Sequence, residues 1–527
     1  MRSGLRVEDS PEGPVLYSGD KPLQHPQHPK TRADETARRE NIQGQTLVLV
    51  PSPLFGYGLG ALLENLPKES RVLCVEHDEG LMAASLLHFP PALMRDPRLA
   101  FVRAADVWQA RGFAARHFGA HLFRRVAMVP LTRGYSLFPG FYRELSAALL
   151  DMVQTYWRNR MTSLHMGRLW IANLFANLAQ LPSCFSLEDL TFARPLVLAA
   201  AGESLERHLG FLASRRAEFS LACVDTALPV LCAAGLNPDL IIIAEAQFAN
   251  IYDFAGLQNW NIPIAADLCS YPGILRRFGG PRYLFVSRFA DLGWFSREDV
   301  RAVLPPLIPP LGSVGVMALY LACRAAAEAC PVFLAGMDLR YPAGKPHARG
   351  SPSHTLLLAR QGRLSFPRHL ASWYGRPREK APLARGGTVS ADAVLASYRN
   401  PLARIAQGRK NIFALEGEGL DLGVPLASHG EVRAMLSSFR PPALPPPPAP
   451  PFLRDAREVD AFCRAQALEL KTLAASPVLS AGDTALRDYL FLDCPENPPY
   501  PLEDAGFVRR VRERAAWHAL RLRTAEE

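Results

Sequence analysis

Near the middle of the chain an aspartate closes an apolar run and a histidine follows in the next loop. The run is PVFLAGMDL, which contains Asp338, and Tyr341, Lys345 and His347 come after it. An aspartate at a strand end with a histidine just beyond it is the raw material of acid–base chemistry. Histidine titrates near neutral pH and can take a proton from an attacking hydroxyl. His354 stands close enough to compete for that role, and a loop histidine is equally at home on a plain surface.

Two short turns have the residues that attract phosphate. Gly202-Glu203-Ser204 precedes a helix pattern starting near Leu205, with Ser204 placed as its cap. Gly312-Ser313-Val314-Gly315 opens a second helix pattern. Backbone N–H groups at a helix start are open to anions, and two such starts in one domain can grip the two ends of a nucleotide. Glu203 adds negative charge beside the first turn and works against a bare phosphate cradle. Asp225 with Thr226, and Glu245 with Gln247, follow two further apolar runs. Their carboxylates can hold ribose hydroxyls or a magnesium ion. They can equally cap neighbouring amides.

The elements that must position these groups are legible between Arg194 and Gln247. Three apolar runs each end in a turn or a carboxylate, with helix-periodic segments between them. That alternation predicts a doubly wound parallel sheet. In such sheets ligands bind beyond the carboxyl ends of the strands. Gly202, Ser204, Asp225, Thr226, Glu245 and Gln247 all fall there. The runs IPIAADL, PRYLFVSRF and PVFLAGMDL extend the same pattern, giving a central domain over about 192–430.

Upstream, residues 1–132 read as a polar entry segment followed by an α/β domain from Gln45 to Thr132. Its glycines Gly56, Gly58 and Gly60, with Glu76 at the end of the next strand, look like a nucleotide or S-adenosylmethionine fingerprint. Packing alone also explains spaced glycines at such a turn. Residues 133–191 lack strand signals and predict two or three connecting helices. Residues 341–386 read as a long loop region. A proline-rich linker lies within 431–453, and 454–527 are helical by pattern, ending in a basic helix.

Composition sets the class. At 527 residues about three domains are expected. Hydrophobic content of 49% and charged content of 21% describe an ordinary globular chain. The net charge of +9 suits anionic ligands or an acidic partner. No basic run interleaved with aromatics argues for nucleic acid. Nine scattered cysteines without C-x-x-C spacing suit a reducing compartment rather than disulfides or zinc. No signal peptide and no membrane-length apolar stretch is visible, so the expected location is cytoplasmic.

Taken together, these segments resemble a known family. LAAAGESL, CVDTAL, GLNPDLIIIAEAQ, the GSVG turn and LAGMDLRYPAGKPHARG occur in the order seen in the 6-hydroxymethylpterin diphosphokinase MptE-like domain family. TVSADAVLASYRNPLARI and ALEGEGLDLGVPL resemble its closing segment. The layout is similar to the bacterial motility accessory factor branch, the flagellin glycosyltransferases, over about residues 15–430. The resemblance implies two Rossmann-like, doubly wound parallel-sheet domains joined by helices, with a helical C-terminal region. It implies transfer of a CMP-activated nonulosonic acid to Ser or Thr of flagellin, with no resident metal and no nucleic-acid or membrane partner. Carried over residue by residue, Gly202 and Ser204 match the first nucleotide-holding turn, Ser313 and Gly315 the small-residue helix start, and His347 the base. The strand-end reading adds Asp338 as a catalytic partner of the histidine, and Asp225, Thr226, Glu245 and Gln247 as contacts to nucleotide or sugar. Two residues depart from the family pattern: Glu203 replaces a proline and Glu245 an aspartate. The alternatives are a diphosphokinase that moves diphosphate from ATP to a pterin alcohol with Mg²⁺, and a flagellin-binding protein whose catalytic site has decayed.

Overall fold

In the computed structural model the described residues are 4–360, 362, 370–440, 453–496 and 498–522. Most of the proline-rich stretch, residues 441–452, therefore lies outside them. The chain forms two compact units, residues 1–164 and 165–527.

The first unit begins with a small antiparallel sheet: β1 (Leu5–Ser10), β2 (Gly13–Ser18) and β3 (Lys21–Pro22). The polar entry segment is thus a folded meander. Leu16 and Leu23 pack with Leu54, Phe55 and Leu81. A parallel sheet follows, built from β4 (Thr46–Pro51), β5 (Arg71–Glu76), β6 (Leu99–Arg103) and β7 (Arg125–Met128), in the order β6-β5-β4-β7. The β4 sequence TLVLVP is buried along its whole length. Leu47 and Leu49 face one apolar cluster and Val48 and Val50 the other, as a strand covered on both faces requires.

Two of the three glycines after β4, Gly56 and Gly58, are packed against neighbouring segments, whereas Gly60 faces open space. A Cβ on Gly58 would lie 2.7 Å from the Ala33 carbonyl oxygen, and one on Gly56 would press on Phe89 and Pro90. Glu76 is fully buried, so it does not present an acid to a ribose. Ser52 Oγ donates to it at 2.7 Å, His77 N at 2.9 Å and the Tyr142 hydroxyl at 3.3 Å. The spacing that resembles a ligand loop here serves close packing and a buried carboxyl network.

The long segment after β7 is one helix of 39 residues, Pro139–Asn177, rather than two or three. Gly167 lies within it where a side chain would not fit: a Cβ there would meet Leu492 Cβ at 2.6 Å. Residues 165–177 of this helix belong to the second unit.

The second unit is built on one parallel sheet. Its strands are β8 (Phe185–Ser186), β9 (Leu196–Ala199), β10 (Ser220–Val224), β11 (Leu240–Ile243), β12 (Ile264–Asp267), β13 (Arg282–Ser287), β14 (Leu307–Ile308) and β15 (Val332–Ala335). A hairpin of β16 (Arg378–Pro382) and β17 (Thr388–Asp392) stands apart, and β18 (Ile412–Leu415) and β19 (Leu426–Ala427) rejoin the sheet. The order is β14-β13-β12-β11-β10-β9-β15-β18-β19, with β8 paired to β13. The region 341–386 is more structured than its glycine and proline content suggests. It holds the helix Pro352–Ala359 and the first strand of the hairpin.

The C-terminal helices share the core of this sheet instead of forming a body of their own. Fully buried Trp294 stacks edge-on against Phe175 and Tyr489, and its indole N–H donates to Gln466 at 3.2 Å. Arg297 pairs with Glu469 at 2.9 Å, and Asp488 accepts from the Gly293 N–H at 2.5 Å. All nine cysteines are free, and eight are buried. Among the described residues no helix is long and apolar enough to cross a membrane.

Glu76 makes a testable demand on this fold. Burial pushes it up to about 7 from an ordinary 4.5, against the pull of its donors. The folded protein therefore holds a proton that the unfolded chain has released. The stabilisation is complete below about 4.5 and is lost as pH rises through about 7. Amide protection in β5, corrected for intrinsic exchange, should fall over that window by roughly 3 kcal/mol or less. Glu76→Gln should flatten the decline; an unchanged slope would refute the assignment.

Candidate functional site

The strand order reverses between β9 and β15. Strands β10 to β14 extend from one side of β9, whereas β15, β18 and β19 extend from the other. The crevice at such a reversal is where open α/β sheets bind ligands. Here two chain turns meet in it. The β9–β15 ladder runs on past the strands, with Ala200 N donating to Ala335 O and Gly202 N to Gly336 O, both at 2.8 Å. Gly336 needs its freedom: its φ is +68°, and a Cβ there would overlap the Ala200 carbonyl. A Cβ on Gly202 would overlap the Gly336 carbonyl and the Asp338 carboxylate.

Asp338 sits on the helix start that the sequence offers to phosphate. Its Oδ2 accepts from Ser204 N at 2.8 Å and its Oδ1 from Ser204 Oγ at 2.5 Å. Ser204 does stand at the N-cap of the helix Leu205–Ser214, but its hydroxyl does not cap that helix. The expectation of open amides there is therefore corrected, because an internal carboxylate already takes the Ser204 N–H. Burial pushes Asp338 up, the Ser204 donors draw it back, and Glu203 adds to the rise. Gly417 and Gly419 close round the same pair, as a Cβ on either would come within 3.0 Å of Ser204 Cβ or 3.1 Å of Asp338 Cα. Asp338 therefore reaches the chemistry as a clamp between two turns. Leu339, next in the chain, is held at φ +49°, a strained setting for leucine, while Leu420 N anchors the Asp338 carbonyl at 2.9 Å.

His347 is tied to the same crevice through its neighbours. Ala348 N donates to Ala201 O at 2.9 Å. The imidazole Nδ1 lies 2.9 Å from Ser353 Oγ, which is supplied by the helix Pro352–Ala359. Burial pushes His347 below the ordinary histidine value, and the nearby His354 and Arg376 act the same way. The ring is thus neutral at neutral pH. His354, the sequence competitor, is itself buried.

The second helix start is arranged differently. Ser313 Oγ accepts from Gly315 N at 3.3 Å and caps the helix Val314–Ala325. Gly315 lies against Met337: a Cβ there would meet Met337 Sδ at 2.8 Å. The Gly336–Asp338 turn therefore has one helix start at Gly202 and Ser204 and the other at Gly315.

Asp225 and Glu245 lie beyond β10 and β11 as expected, but differ in exposure. Asp225 is buried, and its oxygens accept from Thr226 N at 2.8 Å and Asn250 Nδ2 at 2.8 Å. Asn250 Nδ2 also reaches Asp253 Oδ2 at 3.0 Å. Burial first, then mutual repulsion, pushes Asp253 up to about 7; burial pushes Asp225 up to about 6, with Glu245 adding to it. Glu245 is only partly buried and accepts from the exposed Gln247 through its N–H at 2.8 Å. Asp267, the carboxylate after β12, accepts from Cys269 N and Ser287 N. Each acid thus serves its own turn. Among the described residues no three His, Cys, Asp or Glu side chains converge as a metal set.

Several residues that build the site escaped the sequence reading. Asn173 donates to Ala246 O at 2.9 Å and Cys269 O at 3.0 Å, and Asn177 donates to Leu268 O and Ser270 O. The end of the long helix thereby holds the loops after β11 and β12. Two buried asparagines four residues apart on one helix face were the available signal. Asn250 and Asp253 had none, because the short 3₁₀ turn Phe248–Phe254 that presents them has no pattern of its own.

The family described as 6-hydroxymethylpterin diphosphokinase MptE-like matches residues 172–344, a stretch that runs from the end of the long helix through β15. An uncharacterized protein of Treponema pallidum (strain Nichols) is 26% identical over 518 residues, covering 91% of this chain and 88% of its own length. A second uncharacterized protein of that organism is 33% identical over 86 residues, which is 16% of this chain and 40% of its own. Among solved structures, a MAf glycosyltransferase from Magnetospirillum magneticum AMB-1 shares the fold over 99% of this chain and 87% of its own, with a TM-score of 0.56 and 14% identity.

The Ser204–Asp338 pair has a direct test. Ser204→Ala removes the hydroxyl donor from a buried carboxylate, and a hydrogen bond of that kind contributes about 1.5–3 kcal/mol. Urea unfolding of the second unit should show a loss of that size. A loss below about 0.5 kcal/mol, the scatter of ordinary surface changes, would mean that Asp338 does not depend on Ser204.

Proposed function

We propose that this chain is a glycosyltransferase of the motility accessory factor type, moving a nonulosonic acid from a CMP donor to a Ser or Thr hydroxyl of flagellin. The observation that carries this reading is a neutral, partly buried histidine tied to the strand-order reversal of an MptE-like domain. The shared fold with a MAf glycosyltransferase supports it.

The reaction divides among named residues. In the tautomer whose Nδ1 proton is directed at Ser353 Oγ, 2.9 Å away, His347 keeps a lone pair on Nε2. The acceptor oxygen attacks the anomeric carbon and its proton passes to His347 Nε2. The bond from that carbon to the phosphate oxygen breaks, and its electron pair leaves with CMP. The phosphate is best received at the Ser313 and Gly315 helix start, where preorganised amides favour the charge that develops. The Gly202 and Ser204 start is already engaged by Asp338. Glu245 and Gln247, on the accessible side, contact ribose or sugar hydroxyls. Asp225 and Thr226 support them from behind, through Asn250 and its turn.

Incubation with CMP-activated sugars and flagellin should add the sugar mass to flagellin. His347→Ala should lower kcat by roughly 10²-fold or more, the usual size of a general-base contribution. The acidic limb of the rate profile should lie below pH 6.5, because the base must be neutral and its value is lowered from there. CMP should raise the melting temperature where ATP with Mg²⁺ does not. No mass gain from intact donor on folded protein would end this reading. Flagellin association without nucleotide stabilisation would replace it with a binding role.

A further inference from the structure

Glu203 stands where the resembled family has proline, and the structure gives this carboxylate a partner. Lys345 Nζ lies 3.6 Å from Glu203 Oε1 and 2.8 Å from Glu206 Oε1. The three side chains retain only 19%, 24% and 26% of their exposure, so the pair is better shielded than a surface salt bridge. Glu206 Oε1 also accepts from Arg349 N at 2.7 Å. A single carboxylate oxygen thus receives one donor two residues before His347 and another two residues after it. The Ala348 N–H, bonded to Ala201 O at 2.9 Å, lies inside that bracket.

We propose that Glu206 and Lys345 form a two-point clamp that positions His347 over the β9–β15 crevice, with Glu203 sharing the lysine charge. The inference rests on His347 being the base of the proposed transfer. Glu206 lies on the first turn of the helix that begins at the Gly202 turn. The clamp therefore fixes the histidine loop to the same turn that Asp338 fixes. Lys345 also cancels negative charge that would otherwise repel an anionic donor at the crevice. A displacement of about 1 Å in a catalytic group can cost 10²-fold in rate, so a loose loop would be felt in kcat.

The test uses the full-length protein and two independent readouts. In Lys345→Met and Glu206→Ala, exchange at the Ala348 and Arg349 amides should accelerate at least tenfold while the melting temperature stays within a few degrees. In the transfer assay with a CMP-sugar and flagellin, kcat should fall at least tenfold with little change in donor KM. Lys345→Arg, which keeps the charge, should restore most of both. The double variant should be no worse than the poorer single, since both remove one clamp. Unchanged exchange in Lys345→Met would overturn the clamp whatever the activity. Faster exchange with undiminished kcat would overturn its positioning role. If the wild-type protein transfers nothing, the functional reading fails on its own, and with it the clamp's catalytic purpose.

Discussion

The second unit depends on the reversal of strand order between β9 and β15. The two parallel neighbours stay hydrogen-bonded to each other for several residues after the strands end. Gly202 and Gly336 are the places where the backbones approach too closely for any side chain. The ladder bonds that continue through Ala200 and Gly202 make the crevice a rigid extension of the sheet. The groups of the crevice hang from that extension: Ser204 and Asp338 directly, His347 through Ala348, and Gly315 through Met337.

Electrostatics then divides the crevice. Asp338 is a buried carboxyl group placed on the first helix start, and Glu203 and Glu206 stand beside it. Left alone, this corner would repel a nucleotide. Lys345 balances part of the charge, and Arg340 donates to the Glu418 carbonyl on the facing loop. The corner is closed by its own partners, whereas at the second helix start the Ser313 hydroxyl caps Gly315 N. On the far side, Asp225, Asn250 and Asp253 form a buried polar network that leaves Glu245 and Gln247 facing outward.

The first unit shows how far a motif can mislead. Gly56, Gly58 and Glu76 have the types and order of a nucleotide fingerprint, on a parallel sheet of the right topology. Packing decided otherwise. The helix Pro29–Arg39 and Phe89 fill the approach, and Tyr142 and Ser52 claim the acid. The entry segment that supplies that helix was legible as helical, but its docking against Gly58 was a long-range fact.

Sequence alone determined the architecture. Apolar runs ending in turns and acids, separated by helix-periodic stretches, specify parallel strands with covered faces, and hence which residues stand at carboxyl ends. That placed Gly202, Ser204, Asp225, Glu245, Ser313 and Asp338 correctly relative to their strands and helices, because local patterning and capping chemistry act over a few residues. It also carried the MptE-like resemblance. It did not determine which partners those residues take. Ser204 reads as a cap and is bound by an aspartate 134 positions later. Asp225 reads as a ligand group and is consumed by Asn250. The long helix reads as several, and Gly167 within it makes room for Leu492, which lies hundreds of residues away in sequence. Hydrogen bonds and ion pairs between distant segments depend on strand order, and strand order is set by how the whole core packs, which no window of sequence contains.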